Sequence, residues 1–312
     1  MSRNKKPLPL YKDVEIVAVA AEGRAIARVD DLVVFVPFVV PGDVLDIQVT
    51  RKKNKYCEGV AVSINKRSED RSEPFCKYFG ICGGCRWQNL KYSEQLRWKR
   101  QTVVDALRRI GKIDLPEILP IIGSGNTKEF RNKLEFGFSN KRWSTKEEIA
   151  EDKVYDNMNA VGFHVPGAFD KIIDIDYCGL MDDWQNKVRN EVRKYAFDNN
   201  LTFFNIRQHE GLLRNMMLRK TTVGETMILM QFHYTDDIEQ KKAMKLLEHL
   251  SKKFENTTSL MFVNNLKLND TFGDLDIQTY AGRDFIYEEM NGLKFKIGPK
   301  SFFQTNTFQA IR

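Results

Sequence analysis

Phe75-Cys76-Lys77-Tyr78-Phe79-Gly80-Ile81-Cys82-Gly83-Gly84-Cys85-Arg86-Trp87-Gln88 holds three of the chain's five cysteines, in the pattern C-x5-C-G-G-C. Thiolates this close form a ligand set, because soft sulfur selects zinc, copper(I) or iron–sulfur centres. The glycine pair lets the loop aim several side chains at one point, and its amides can donate to bridging sulfides. Three thiolates are one short of a closed set. Cys57 lies in the alternating run Tyr56-Cys57-Glu58-Gly59-Val60-Ala61-Val62 and reads as a small apolar core residue. Cys178 follows the strand-like run Ile172-Ile173-Asp174-Ile175-Asp176-Tyr177. It is taken as the fourth ligand, which would tie the loop to a later domain. Zinc usually takes paired C-x2-C knuckles, and only Cys82/Cys85 has that spacing. Spacing alone leaves an iron–sulfur cluster, zinc and reduced structural thiols all open.

The pattern C-x5-C-G-G-C followed by Trp87-Gln88 and a helix resembles the iron–sulfur RNA uracil-C5 methyltransferases, the RumA-like relatives of TrmA. The resemblance runs the length of the chain. It implies a [4Fe-4S] cluster on Cys76, Cys82, Cys85 and a downstream cysteine, as Cys178 is here.

Upstream, residues 13–64 alternate in short β-rich runs separated by Gly, Pro and Asp, which reads as a small five-stranded OB-like barrel. Arg51-Lys52-Lys53-Asn54-Lys55, expected in a loop beside Tyr56, suits RNA or a solvated tip. The segment resembles a TRAM domain, with Glu22-Gly23-Arg24-Ala25-Ile26-Ala27 as its turn. The resemblance favours RNA binding by Arg24, Lys52 and Lys53.

Downstream, Ser93 reads as the N-cap of an amphipathic helix whose apolar face is Leu96, Val103, Leu107 and Ile110, stopped by Gly111. Phe130 to Phe138 alternates as a strand, with Arg131, Lys133 and Glu135 on one face. The run resembles the family's strand beside the RNA, which implies RNA contacts for Arg131 and Lys133. Residues 140–160 are expected to be a solvated loop. Trp184, Val188, Val192 and Tyr195 mark one helical face, and Ile238, Leu246, Leu247 and Leu250 another, capped by Asp236. Strands at 213–219, 225–231 and 259–264 give a sheet covered on one side by helices.

The fold class expected is therefore mixed β and α+β. The expected divisions are a TRAM-like OB barrel (1–70), a cluster loop (71–92), a linking helix (93–115), a central α+β RNA-binding domain (116–292) and the start of a methyltransferase domain (293–312). Leu293 to Asn306 resembles the family's segment leading into that domain, and its Gln304 would contact S-adenosylmethionine.

Uracil C5 methylation needs a cysteine thiolate to add at C6 and a base to take the C5 proton. With four cysteines assigned to the cluster and Cys57 in a strand, no catalytic residue is found in this chain. No Gly-rich turn of a doubly wound domain is found either. The expectation is that the Rossmann-like methyltransferase domain is absent, that the nucleophile lies beyond residue 312, and that the 312-residue chain alone is inactive.

The net charge of +7 and a sequence pI of about 9.0 suit a polyanionic partner. No signal-length apolar run follows Met1 to Pro7, and no run is long enough to span a bilayer. The reading is a cytoplasmic, monomeric protein acting on RNA, with 23S rRNA favoured over tRNA. A non-catalytic RNA-binding module with a metal or cluster site is the alternative. A radical S-adenosylmethionine enzyme is disfavoured, because its C-x3-C-x2-C pattern is absent.

Overall fold

The structure, a computed structural model, describes residues 7–20 and 23–312. The basic N-terminal residues 1–6 and Glu22 of the expected turn lie outside the described residues. The chain divides into two compact units, Met1–Gly80 with Gly84–Gly123, and Ile81–Gly83 with Ser124–Arg312.

In the first unit, β1 (Leu10–Val19), β2 (Ala25–Val29), β3 (Leu32–Val36), β4 (Val44–Lys52) and β5 (Tyr56–Lys66) close a barrel in the order β1-β2-β3-β5-β4. Closure comes from the parallel pairing of β3 with β5, Val33 to Phe35 opposite Tyr56 to Glu58. Period-two alternation turns Ala25, Ala27, Val34, Val36, Leu45, Ile47 and Val49 inward onto Ile16 and Cys57. Cys57 is thus the core residue its run suggested. At Gly59 a Cβ would sit 2.5 Å from the Ile47 side chain, so β5 crosses β4 only with glycine there.

A buried carboxylate pins the barrel's base. Asp43, fully buried, accepts from the amides of Val40 (2.8 Å) and Ser68 (3.0 Å). It also takes both arms of Arg71, at 2.8 and 2.7 Å. Every lone pair is used, which is the condition for keeping an ion pair out of water.

Helix α1 (Tyr92–Asp105) continues through a wider π turn to Ile110. Its N-cap is Lys91 rather than Ser93, and no side chain caps it. Gln95 instead binds the carbonyls of Trp87 and Leu90 at 2.9 and 2.8 Å. The expected stop at Gly111 holds, with right-handed φ of −70°, and the left-handed residue is the next one, Lys112. Neither the helix nor its π turn buries a residue.

The second unit is a seven-stranded sheet plus a ribbon. Its strands are β6 (Lys133–Ser139), β7 (Ala160–Val165), β8 (Ala168–Asp174), β9 (Leu213–Lys220), β10 (Thr226–Phe232), β11 (Ser259–Asn264) and β12 (Gln278–Gly282). They lie in the order β12-β11-β10-β9-β6-β7-β8. Among them only β10 and β11 pair in parallel, as their connection through α4 (Asp237–Lys253) requires. Helix α3 (Asp183–Asp198) lies against α4, where Trp184 meets Phe254 and Tyr195 meets His249. On the other face Met217, Met227, Leu229, Met261 and Val263 pack with Ile286 and Ile297 of the ribbon β13 (Ile286–Met290) and β14 (Leu293–Ile297). Helices therefore cover one side, as expected, and the ribbon packs on the other.

Three local expectations are corrected. The buried residues of α3 are Gln185, Asn186, Val188, Arg189, Val192 and Ala196, so Trp184 and Tyr195 serve the contact with α4. Ile238 is 69% exposed, and Ala243 joins the leucines of α4 in the core instead. Residues 140–160 are not merely a solvated loop. Thr145 and Glu148 form a capping box on the short helix α2 (Lys146–Ala150), and Glu148 also holds Arg142 at 2.6 Å.

Candidate nucleic-acid interface

The barrel carries its basic residues at one tip. Arg51 and Lys52 belong to β4 rather than to a loop, because the β4–β5 ladder continues to the pairs Arg51–Glu58 and Lys52–Cys57. Lys53, Asn54 and Lys55 make the turn, closed by the Lys53 amide on the Tyr56 carbonyl at 2.9 Å. Arg51 to Lys55 are all exposed. Arg24 and Arg51 share one carboxylate, Glu58, at 3.9 and 3.8 Å. Pairs this long and wet hold little, about 0–1 kcal/mol, so the guanidiniums stay available. Beside them Arg24 lies 5.0 Å from the centre of the Phe35 ring, and Phe35 meets Tyr56 edge-to-face at 5.7 Å. The structure thus joins Arg24 to the tip through an aromatic pair. Phe35 escaped notice because an aromatic in a strand reads as core until the strand's neighbours are known.

In the second unit Lys133 is spent on Glu135 at 2.5 Å, and Arg131 donates from Nε to the Lys133 carbonyl at 3.1 Å. Arg131 also lines a cleft of ≈ 230 Å³ with Glu129, Asn132, Asp182, Lys220 and Thr222. Asn132 stitches the chain's last segment to the start of β6. Its amide donates to the Thr305 carbonyl (2.9 Å), and its side chain to the Gln304 carbonyl (2.8 Å) and the Thr307 hydroxyl (2.9 Å). Gln304 itself is exposed, just before α5 (Thr307–Ala310), which Asn306 caps.

Behind this segment lies Glu288, fully buried and not foreseen. It accepts from the Thr222 amide (3.0 Å), the Thr222 hydroxyl (2.5 Å) and the Thr307 hydroxyl (2.9 Å). Arg219, also buried, donates to the Ser301 carbonyl at 2.6 Å, and burial lowers its pKa against the opposing pull of Glu135. Partners 19 to 82 residues away in sequence satisfy no local pattern, so neither group could be read from the chain.

The cysteine segments are ordered by ordinary hydrogen bonds. The Cys76 amide donates to Gln88 Oε1 at 3.2 Å, which gives Gln88 of the motif a role. The Cys178 amide donates to Asn186 Oδ1 at 2.8 Å, and Asn186 returns a bond to the Cys178 carbonyl at 3.2 Å. The Gly83 amide meets the His164 carbonyl at 3.3 Å, and a Cβ there would come within 2.9 Å of that oxygen. Cys76, Cys82, Cys85 and Cys178 are half-buried. Among the described residues no three His, Cys, Asp or Glu side chains form a metal-holding group. The structure therefore does not show the expected cluster, and the donor set rests on its chemistry and spacing.

No helix among the described residues is long and apolar enough to cross a membrane.

Comparison with known proteins adds three findings. Residues 11–62 match the TRAM domain. The chain is 54% identical over 291 residues to an uncharacterized RNA methyltransferase of Bacteroides thetaiotaomicron, covering 93% of this chain and 64% of that protein. It is 47% identical over 304 residues to an uncharacterized RNA methyltransferase of Porphyromonas gingivalis, covering 96% of this chain and 65% of that protein. The chain thus spans about two-thirds of the length of these relatives. Among solved structures it matches the tRNA (uracil-54, C5)-methyltransferase of Pyrococcus abyssi in complex with S-adenosyl-L-homocysteine. That match has a TM-score of 0.64 at 24% identity and covers 96% of this chain and 62% of that one.

These findings correct the fold class at one point. The expected absence of a Rossmann-like methyltransferase domain does not stand. It rested on finding no spare cysteine and no Gly-rich turn in these residues, whereas the match to a methyltransferase's fold takes in 96% of the chain. Where a sequence stops does not measure which domains its protein has. The inactivity expected of the 312-residue chain loses its ground for the same reason.

Proposed function

We propose that this chain serves RNA recognition in an S-adenosylmethionine-dependent RNA uracil-C5 methyltransferase, acting as a monomer in the cytoplasm on 23S rRNA. The observation that carries the reading is the exposed basic tip of a barrel that matches the TRAM domain, in a chain 54% identical to a protein named an RNA methyltransferase. Arg24, Lys52 and Lys53 would meet phosphates, with Phe35 and Tyr56 offering rings beside them. Arg131 would reach RNA from the second unit's cleft. Lys133, already paired with Glu135, would contribute less.

Cys76, Cys82, Cys85 and Cys178 are proposed as ligands of a [4Fe-4S] cluster, whose role would be structural because methyl transfer moves no electron. Gln304 is proposed to offer its exposed amide to the methyl donor. A single amide is not a cradle, and no catalytic step is assigned to it. The named activity of the Pyrococcus abyssi protein makes tRNA the second reading for the substrate.

The test is binding of 23S rRNA fragments and of tRNA over a salt series. Replacing Arg24, Lys52 and Lys53 together by glutamine should flatten the dependence of log affinity on log salt by up to ~3 phosphate contacts' worth. Tighter binding of tRNA would replace the proposed substrate, and an unchanged slope would remove the barrel tip from the interface. Methyl transfer to C5 must release tritium from RNA labelled at uridine C5. RNA binding without S-adenosylmethionine-dependent release by the protein would favour the non-catalytic module. Iron and sulfide analysis with absorbance near ~400 nm after anaerobic purification tests the cluster, and stoichiometric zinc without iron would replace it.

A further inference from the structure

A second cleft, of ≈ 480 Å³, opens in the first unit at the base of the barrel. Its walls include Phe38, Phe79, Arg67, Arg71, Glu73 and Asn89. None of these residues belongs to the basic tip or to the cysteine pattern's ligands.

Phe38 is the informative residue. Its φ is +60°, in the left-handed region that a bulky side chain rarely adopts. The strain is held from both sides. The following Val39 and Val40 are locked in the core, and the Phe38 carbonyl accepts Asn89 Nδ2 at 2.9 Å. An ordinary φ, or a glycine, would let the chain turn here without strain. The cost is met where the ring must be held in one place, and such residues concentrate at binding sites. Here the ring is half-buried, is not among the residues of the barrel's core cluster, and packs edge-to-face on Phe79 at 5.5 Å. The two rings make an apolar corner in a cleft whose other walls are mostly polar.

The charges sort by availability. Arg71 is committed to Asp43. Arg67 lines the same cleft, is exposed, and has no acidic partner among the described residues. Glu73, on the wall, is a carboxylate that can accept from the N–H edge of a base and would repel a phosphate. A ring corner, one uncommitted guanidinium and one acceptor fit a single unstacked nucleotide: the base on the rings, its edge toward Glu73, its phosphate toward Arg67. The volume falls within the range of small-molecule sites.

We propose that the cleft formed by Phe38, Phe79 and Arg67 seats one unstacked base of single-stranded RNA. The site deepens the RNA-recognition reading and rests on it, but uses residues distinct from the barrel tip.

The test measures affinity of the 312-residue chain for a labelled single-stranded oligouridylate, and for the same strand with abasic riboses. The wild-type chain should prefer the base-bearing strand. Phe79→Leu should weaken that strand's binding about tenfold, the scale of one lost base–aromatic stack, and erase the preference. Arg67→Gln should reduce the salt slope by about one phosphate contact while keeping the preference. Phe38→Gly separates binding from folding, since glycine accepts φ +60° freely. It should lose the preference without a fall in melting temperature. If the wild-type chain binds RNA while Phe79→Leu and Arg67→Gln match it in preference and slope, the cleft is overturned and the RNA reading survives. If the wild-type chain binds no RNA, both fail.

Discussion

The two units treat arginine in opposite ways. At the barrel's tip Arg24 and Arg51 are 46% and 57% exposed and touch Glu58 only at 3.9 and 3.8 Å. In the second unit Arg189 of α3 and Arg214 and Arg219 of β9 are nearly sealed from water, each hydrogen-bonded. Arg214 alone binds the carbonyls of Asn265, Lys267 and Asn269, all at 2.7 Å, and Asp270 at 2.8 Å. A planar fork of five donors can be satisfied by backbone carbonyls as completely as by phosphates. Residue type alone therefore says nothing about RNA contact. What separates these groups is burial: the barrel's tip leaves Arg24 and Arg51 open to solvent, while the second unit encloses Arg189, Arg214 and Arg219.

The largest test of this contrast is Asp174. It collects Arg142 (3.0 Å), Arg189 (3.1 Å) and Arg193 (2.6 Å), and accepts the Val161 amide as well. Asp174→Ala should destabilise the second unit by ~3–5 kcal/mol, because it leaves the buried Arg189 charge without its counter-ion. Chemical denaturation followed by tryptophan fluorescence would report it. A loss below ~1 kcal/mol would mean the cluster is no tighter than the barrel's surface pairs.

The barrel has one counter-example, and it sets the next prediction. Asp43 with Arg71 is built like a sheet pair, with the carboxylate fully buried and the guanidinium 18% exposed. Asp43→Asn keeps an acceptor but removes the charge, and Arg71 can turn partly to water. The expected loss is ~2 kcal/mol, between the two regimes. A loss equal to that of Asp174→Ala would show that the partner's exposure does not matter.

The same contrast explains what could be read in advance. The strands of the barrel and β9 to β11 were legible because apolar residues alternate with period two between Gly, Pro and Asp turns. The tip is legible as charge, yet polarity hides that Arg51 and Lys52 extend a strand beyond its core. The pattern of α3 points to Trp184 and Tyr195 instead of its buried face for a related reason. Gln185, Asn186 and Arg189 are buried there, which only their distant partners permit. Phe38 and Phe79 were out of reach altogether, being 41 positions apart and joined by a backbone angle that no composition announces. Pairing across sequence distance leaves no trace in local pattern.

The smallest expected effect uses a difference in composition. All four histidines, His164, His209, His233 and His249, lie in the second unit and none in the first. Burial lowers the pKa of His233 from 6.5, and the positive charges of Arg214 and His209 lower it further against a backbone hydrogen bond that raises it. The ring also packs on Phe204 at 5.4 Å, the residue whose face Arg214 covers at 4.3 Å. A depressed folded pKa means the unfolded chain takes the proton first. The contribution of neutral His233 is therefore complete above 6.5 and is lost as pH falls through the folded value. Lowering pH from about 7 to about 5 should then reduce the melting temperature of the second unit, and His233→Gln, which cannot titrate, should flatten that slope. An equal slope in the variant would assign the acid response elsewhere in the sheet. A matching response in the barrel, which has no histidine to protonate, would break the contrast itself.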